Sequence, residues 1–131
     1  MKETRDYAVS FADIAGSSRF HREFGDQAAR DMIGGFCACA AAIAPRFEGR
    51  LVKTLGDGVM CVFESPEQAV LAMMELHAQV AAAPTPHGLP VRLHTGINAG
   101  PVIMDGDDVY GTIVNVAAYL SATARADQIL T

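Results

Sequence analysis

The chain contains no tryptophan, and among its 131 residues there are only three cysteines and 19% charged side chains. An odd, small number of cysteines (Cys37, Cys39, Cys61) argues against a disulfide framework. Two of them fall on a predicted helix beside alanines, and no second cluster of metal-type ligands lies near any of them. They read as buried, reduced thiols of a cytoplasmic protein. Basic residues are also in the minority, with 10 Lys+Arg against 15 Asp+Glu for a net charge of −5. That balance argues against broad electrostatic binding to nucleic acid or to an anionic membrane. Long apolar runs are missing as well, since none reaches the ~18–20 residues needed to span a bilayer. The polar opening MKETRD, and the interruption of the next apolar stretch at Asp13, predict no signal peptide. What remains is 50% hydrophobic. Residues 1–131 therefore read as one compact domain around one core.

Tyr7 to Ala12 alternates large and small side chains, which predicts a strand with one heavily packed face. A turn at Asp13 to Ser18 opens a helix to Phe24, Gly25-Asp26 breaks it, and a second helix runs from Gln27 to Ala44. Its stripe is Met32, Phe36, Cys39, Ala40 and Ile43, and Pro45 stops it. Leu51–Leu55 and Val59–Phe63 read as strands joined through Gly56-Asp57-Gly58. Ser65-Pro66-Glu67-Gln68 is a capping box that starts a helix to Ala83, burying Ala69, Val70, Met73, Leu76, His77 and Val80. Pro84 to Pro90 reads as a surface loop. Val91–Asn98 and Val102–Met104 read as a second hairpin around Ala99-Gly100-Pro101. A polar loop over Asp105–Asp108, a helix from Tyr110 to Ala124 and the start of a strand at Ile129 complete the order. Hairpins mixed with helical crossovers predict an α+β, ferredoxin-like fold: a mainly antiparallel sheet with helices on one face.

Two carboxylates stand where chemistry is possible. Asp13 ends the first strand and Asp57 occupies a hairpin tip, so adjacent strands would let them share a hard cation such as Mg²⁺. The alternatives are ordinary: Asp57-Gly58 as a turn pair, Asp13 as a helix cap. Gly16-Ser17-Ser18 at a helix start offers free backbone N–H groups to phosphate oxygens. Lys53 shares strand parity with Leu51 and Leu55 and so points toward their face, either to a ligand or snorkelling from a sheet edge. Asn115 and Tyr119, four apart, share one face of the last helix. His21, His77, His87 and His94 have no metal-ligand spacing and read as structural or surface residues.

Together these segments resemble the catalytic domain of class III nucleotidyl cyclases, the adenylyl and guanylyl cyclases. VSFADIAGSSRF, GRLVKTLGDGVMCVF, VRLHTGINAGPVI and DVYGTIVNVAAYL carry the resemblance, in the family's order and over nearly the whole chain. It implies that Asp13 and Asp57 hold a pair of Mg²⁺ or Mn²⁺ ions per site, with Ile14 adding a backbone carbonyl. It implies that Lys53 and Asp108 select adenine, where guanylyl cyclases tend to carry Glu and Cys. The chemistry agrees, because lysine donates to a ring nitrogen and aspartate accepts from the exocyclic amine. Asn115 would orient the ribose of ATP. A head-to-tail homodimer follows from the same resemblance, with the metal aspartates coming from one protomer and the lysine, aspartate and asparagine from the other.

Two departures stand out. Where the family has an arginine that stabilises charge on the transferring phosphate, this chain has Tyr119. The resemblance also implies further strands beyond Gln128-Ile129-Leu130, one of which brings a basic residue to the triphosphate. The leading expectation is thus an adenylyl cyclase domain slowed at Tyr119. Its alternative is a catalytically weak nucleotide-binding or regulatory dimerisation domain. A polymerase-palm or diguanylate-cyclase-like domain lacks support, because no GGDEF-like hairpin tip is present.

Overall fold

The computed structural model describes residues 2–83, 85 and 87–131. The elements are β1 (Thr4–Ile14), α1 (Ser17–Ile43), β2 (Gly49–Leu55), β3 (Gly58–Phe63) and α2 (Pro66–Ala82). They continue with β4 (Leu93–Asp105), β5 (Asp108–Tyr110), α3 (Thr112–Thr123) and β6 (Ile129–Leu130). The sheet order is β2-β3-β1-β4-β5, antiparallel throughout, with β6 added parallel to β4.

The alternation in β1 gives two packed faces rather than one. Tyr7, Val9 and Phe11 meet Met60, Val62, Val102 and Val109 on one side. Ala8, Ala12 and Ile14 lie on the other, beneath Phe36, Ala40 and Ile43 of α1 and Ala69, Met73 and Leu76 of α2. Small side chains on that second face let two helices approach the sheet. The expectation of helices on one face needs correction: α3 packs on the opposite face, through Val114 and Ala117.

α1 breaks where glycine was expected to break it, with Gly25 at φ 86° and ψ 173°. It ends at Ile43, followed by a 3-10 turn over Ala44–Phe47 that holds Pro45. Ser65 caps α2 by accepting from the Gln68 N–H at 3.2 Å. Val70 and His77 are half-buried rather than buried. Cys61 is buried and its thiol is pushed up to about 12 by desolvation, whereas Cys37 and Cys39 are only half-buried. All three are free thiols. Pro84 and Pro86 of the expected surface loop lie outside the described residues.

The second expected hairpin is wrong. β4 is a single strand of 13 residues, paired with β1 from Leu93 opposite Ile14 to Ile103 opposite Thr4. Gly100-Pro101 resembles a turn in sequence, but Gly100 (φ 154°) instead makes room for α3, since a Cβ there would lie 2.7 Å from Ile113 Cδ1. Pro101 stands opposite Asp6, before β5 begins to pair at Ile103, so its missing N–H interrupts no β4–β5 bond. The true hairpin follows, with Asp105 opposite Asp108 across the residues expected to be a loop. Among the described residues no helix is long and apolar enough to cross a membrane.

His77 of α2 shares a 2.7 Å hydrogen bond with Thr95 Oγ1 of β4, and desolvation lowers its pKa from 6.5. The unfolded chain therefore takes up the proton more readily than the folded one. Stability should fall as pH drops below about 6.5 toward the folded pKa and be flat above it. Urea midpoints measured across this range should lose part of that slope in His77→Gln.

Candidate functional site

Asp13 stands opposite Gly58 at the end of the β1–β3 ladder. A Cβ on residue 58 would overlap Asp13 Oδ1, so glycine is the only residue that leaves the carboxylate its place. Ser121 Oγ, 1% exposed, donates to Asp13 Oδ2 at 2.7 Å. His94 Nδ1 donates to the Ser121 main-chain oxygen at 2.7 Å and lies 4.0 Å from Asp13 Oδ2. α3 reaches this position because it crosses β4 at Gly96, where a Cβ would strike the backbone of Ala117 and Ser121.

Asp57 lies in the β2–β3 turn, next to the Gly58 that stands opposite Asp13. Its main-chain oxygen accepts from the Ile14 N–H at 3.1 Å, and its Oδ2 accepts from Ser17 Oγ. The turn therefore sets Asp57 against the end of β1. Asp13 does not cap α1: that place belongs to Gly16, at φ 74° with no side-chain cap. Gly16 and Ser18 are exposed at the start of α1, Ser17 is half-buried on Asp57, and the Ile14 side chain is buried. Among the described residues no group of three or more His, Cys, Asp or Glu gathers as a metal cage. Two carboxylates are nevertheless what Mg²⁺ commonly takes from protein, with phosphate and water completing its shell.

A second polar group lies at the sheet edges. Lys53 Nζ donates to Asp108 Oδ2 at 3.0 Å, linking β2 and β5 from opposite ends of the strand order. The parity argument for Lys53 needs correction here. The β2–β3 register shifts between Leu51, opposite Cys61, and Lys53, opposite Met60. That bulge at Val52 turns Lys53 to the face away from Leu51, which is the face of Asp13 and α3. The hydrogen bond from Lys53 holds the Asp108 carboxyl below the usual carboxylate range, against slight desolvation and aided by the Val109 N–H at 2.8 Å. Arg50 Nη1 donates to the Asp107 main-chain oxygen at 2.9 Å alongside.

Asn115 and Tyr119 share the outer face of α3, as their spacing predicts, and Tyr119 is 69% exposed. Among the described residues neither side chain bonds to the carboxylate pair or to Lys53 and Asp108. A wide apolar cavity of about 890 Å³ lies elsewhere, between α1 and the end of α2, lined by Phe20, Phe24, Met32 and Val80. Sequence reasoning missed Ser121, His94 and Arg50. Ser121 left a signal, as the one hydroxyl on the inward stripe Val114, Ala117, Ser121. Arg50 left none, because its partner is a main-chain oxygen.

The family profile for the adenylate and guanylate cyclase catalytic domain matches residues 1–131. The chain belongs to this family. An adenylate cyclase of Streptomyces coelicolor is 33% identical over 129 residues, 96% of this chain but 32% of that protein. The cyclase domain thus spans about a third of the length of that relative. The monomeric guanylyl cyclase domain of the RhoGC fusion protein from Blastocladiella emersonii superposes with a TM-score of 0.89 at 22% identity, over 98% of this chain and 81% of that one. The catalytic core of a rhodopsin-guanylyl cyclase with converted specificity, in complex with ATPαS, gives 0.86 at 24% identity, over 97% and 78%. These likenesses establish the α+β cyclase fold.

The dependence of Asp13 on Gly58 is testable. Gly58→Ala should displace the carboxylate and lower stability by about 1–3 kcal/mol, read from urea unfolding, as overpacking does elsewhere. A loss below about 0.5 kcal/mol would mean that the carboxylate yields freely.

Proposed function

We propose that this cyclase domain converts ATP to 3′,5′-cyclic AMP and pyrophosphate, at sites completed by a second copy of the chain. The observation that carries the adenine reading is the Lys53–Asp108 pair. An ammonium beside a carboxylate offers a donor to a purine ring nitrogen and an acceptor to an exocyclic amine, the pattern that adenine presents and guanine inverts.

Asp13 and Asp57 fit a pair of Mg²⁺ or Mn²⁺ ions. Their donors are all oxygen, both carboxylates already accept hydroxyl hydrogen bonds, and the missing side chain of Gly58 leaves Asp13 its place. The Ile14 carbonyl would join them. When bound, such ions supply charge neutralisation and lower the pKa of the attacking hydroxyl.

The remaining work falls to the chain. The start of α1, at Gly16, Ser17 and Ser18, offers N–H groups to phosphate oxygens. Asn115 orients the ribose, so that its 3′-oxygen loses its proton to solvent water and attacks the α-phosphorus while the bond to pyrophosphate breaks in line. Tyr119 donates one hydrogen bond to the transferring phosphate.

Two features support a head-to-tail homodimer. Asn115 and Tyr119 are exposed on α3 and, among the described residues, bond to neither carboxylate of the Asp13–Asp57 pair of their own chain. Leu55, Tyr110, Val116 and Tyr119 are exposed hydrophobics, 39–69% accessible, on the strands and helix that carry Lys53, Asp108 and Asn115. We read residues 1–131 as one catalytic domain acting in the cytoplasm, with neither nucleic acid nor membrane as a partner.

Cyclic AMP formation from ATP with Mn²⁺ tests the reading. Asp57→Ala and Asn115→Ala chains should each be nearly inactive alone, and mixed in equal amounts they should recover roughly a quarter of wild-type activity through heterodimers that hold one intact site. No recovery, with both variants folded, would sink the shared site. The second reading, a weak nucleotide-binding domain, draws on Tyr119. Tyr119→Arg should raise turnover by on the order of tenfold or more if the lost charge limits the rate. An unchanged rate would place the limit elsewhere.

A further inference from the structure

The β4–β5 hairpin is tied to the N-terminal residues on its β4 side, where Lys2 donates to Asp105 at 2.6 Å and the Met104 N–H to the Glu3 oxygen at 2.8 Å. β5 has only three residues and pairs with β4 alone, over Ile103 to Asp105. Its turn, with Gly106 at φ 61°, is exposed. Two polar ties cross from β2 to this hairpin: Lys53 to Asp108, and Arg50 to the Asp107 oxygen at 2.9 Å. They differ in kind. Lys53 and Asp108 are the groups a nucleobase would engage, so their mutual bond shares its donor and acceptor with the base. The Arg50 bond goes to a main-chain carbonyl outside the pair assigned to the base. Its planar guanidinium also keeps donors to spare beside the Asp108 carboxylate.

We infer that Arg50 is a positioning residue for nucleobase selection: it fixes the β4–β5 hairpin against β2 so that Asp108 stays opposite Lys53 while the base is bound. The inference rests on the adenine reading of Lys53 and Asp108. Arg50 touches no substrate in this scheme and acts only through the hairpin. A tie of this sort shows in how well ATP is chosen over GTP more than in how fast bound ATP reacts.

Two measurements on the purified chain test it. Arg50→Ala should raise KM for ATP by about tenfold and narrow the preference for ATP over GTP by a similar factor, with a smaller change in kcat. Arg50→Lys, which keeps a charged donor, should recover part of both. Amide hydrogen exchange in residues 104–110 should quicken in Arg50→Ala while the β1–β3 ladder stays protected. Unchanged exchange would overturn the tie. Faster exchange with unaltered KM and base preference would overturn the positioning role, provided Lys53→Ala still shifts that preference. If Lys53→Ala leaves the preference intact, the adenine reading falls first, and the inference with it.

Discussion

The missing side chain at Gly96 sets how closely α3 lies on the sheet, and much of the candidate site follows from that distance. Backbone atoms of Ala117 and Ser121 fill the volume that a Cβ on residue 96 would need. Contact this close brings the Ser121 hydroxyl down to Asp13 at the end of β1. Asp13 in turn occupies the space above Gly58. Two glycines and a serine thus place one carboxylate, and each depends on the others. Ser121 is fully buried, so without Asp13 its hydroxyl would keep only the 3.3 Å bond to the His94 oxygen. Leaving a buried hydroxyl poorly satisfied costs about 1–3 kcal/mol. Placement of the acid and stability of the α3 contact are therefore one problem, solved once.

The electrostatics at the sheet edges work differently. Lys53 and Asp108 have side chains 42% and 45% exposed, so solvent screens their attraction and the pair adds little to stability. What it fixes is geometry. The strand order puts β2 and β5 at opposite ends, yet the sheet's twist brings them within a hydrogen bond of each other over Met60, Val62 and Val109. The bulge at Val52 turns Lys53 onto that concave face. The conformational feature carries more of the result than the charge does.

The parts of this arrangement that lie in local pattern were legible in the sequence. The β2–β3 hairpin, the Gly25 break, the Ser65 side-chain cap and the outward pairing of Asn115 with Tyr119 all follow from spacing and turn chemistry. The parts that depend on a neighbour were not. Gly100-Pro101 reads as a turn until Ile113 of α3 is seen to need the space. A bulge leaves no mark when the residues around it, Leu51, Val52 and Lys53, would all suit an unbroken strand. Arg50 is invisible for the same reason. Helix placement failed at α3 alone, because its inward stripe, Val114, Ala117 and Ser121, is apolar enough for either face of the sheet.

Charge gives the last constraint on the proposed chemistry. The chain carries five more acidic than basic residues, and the group around Asp13 and Asp57 includes no lysine or arginine bonded to either carboxylate among the described residues. A nucleoside triphosphate brings several further negative charges to that place. Hydroxyl donors such as Ser17, Ser121 and Tyr119 can orient oxygens there without neutralising them. An arginine at position 119 would, on the proposed reading, offset part of this charge from the facing chain, and tyrosine would not. On the proposed reading, positive charge must therefore arrive with the nucleotide, as divalent cations held between its phosphates and the two aspartates. On that reading, the domain would lean on its metals more heavily than one that keeps the arginine.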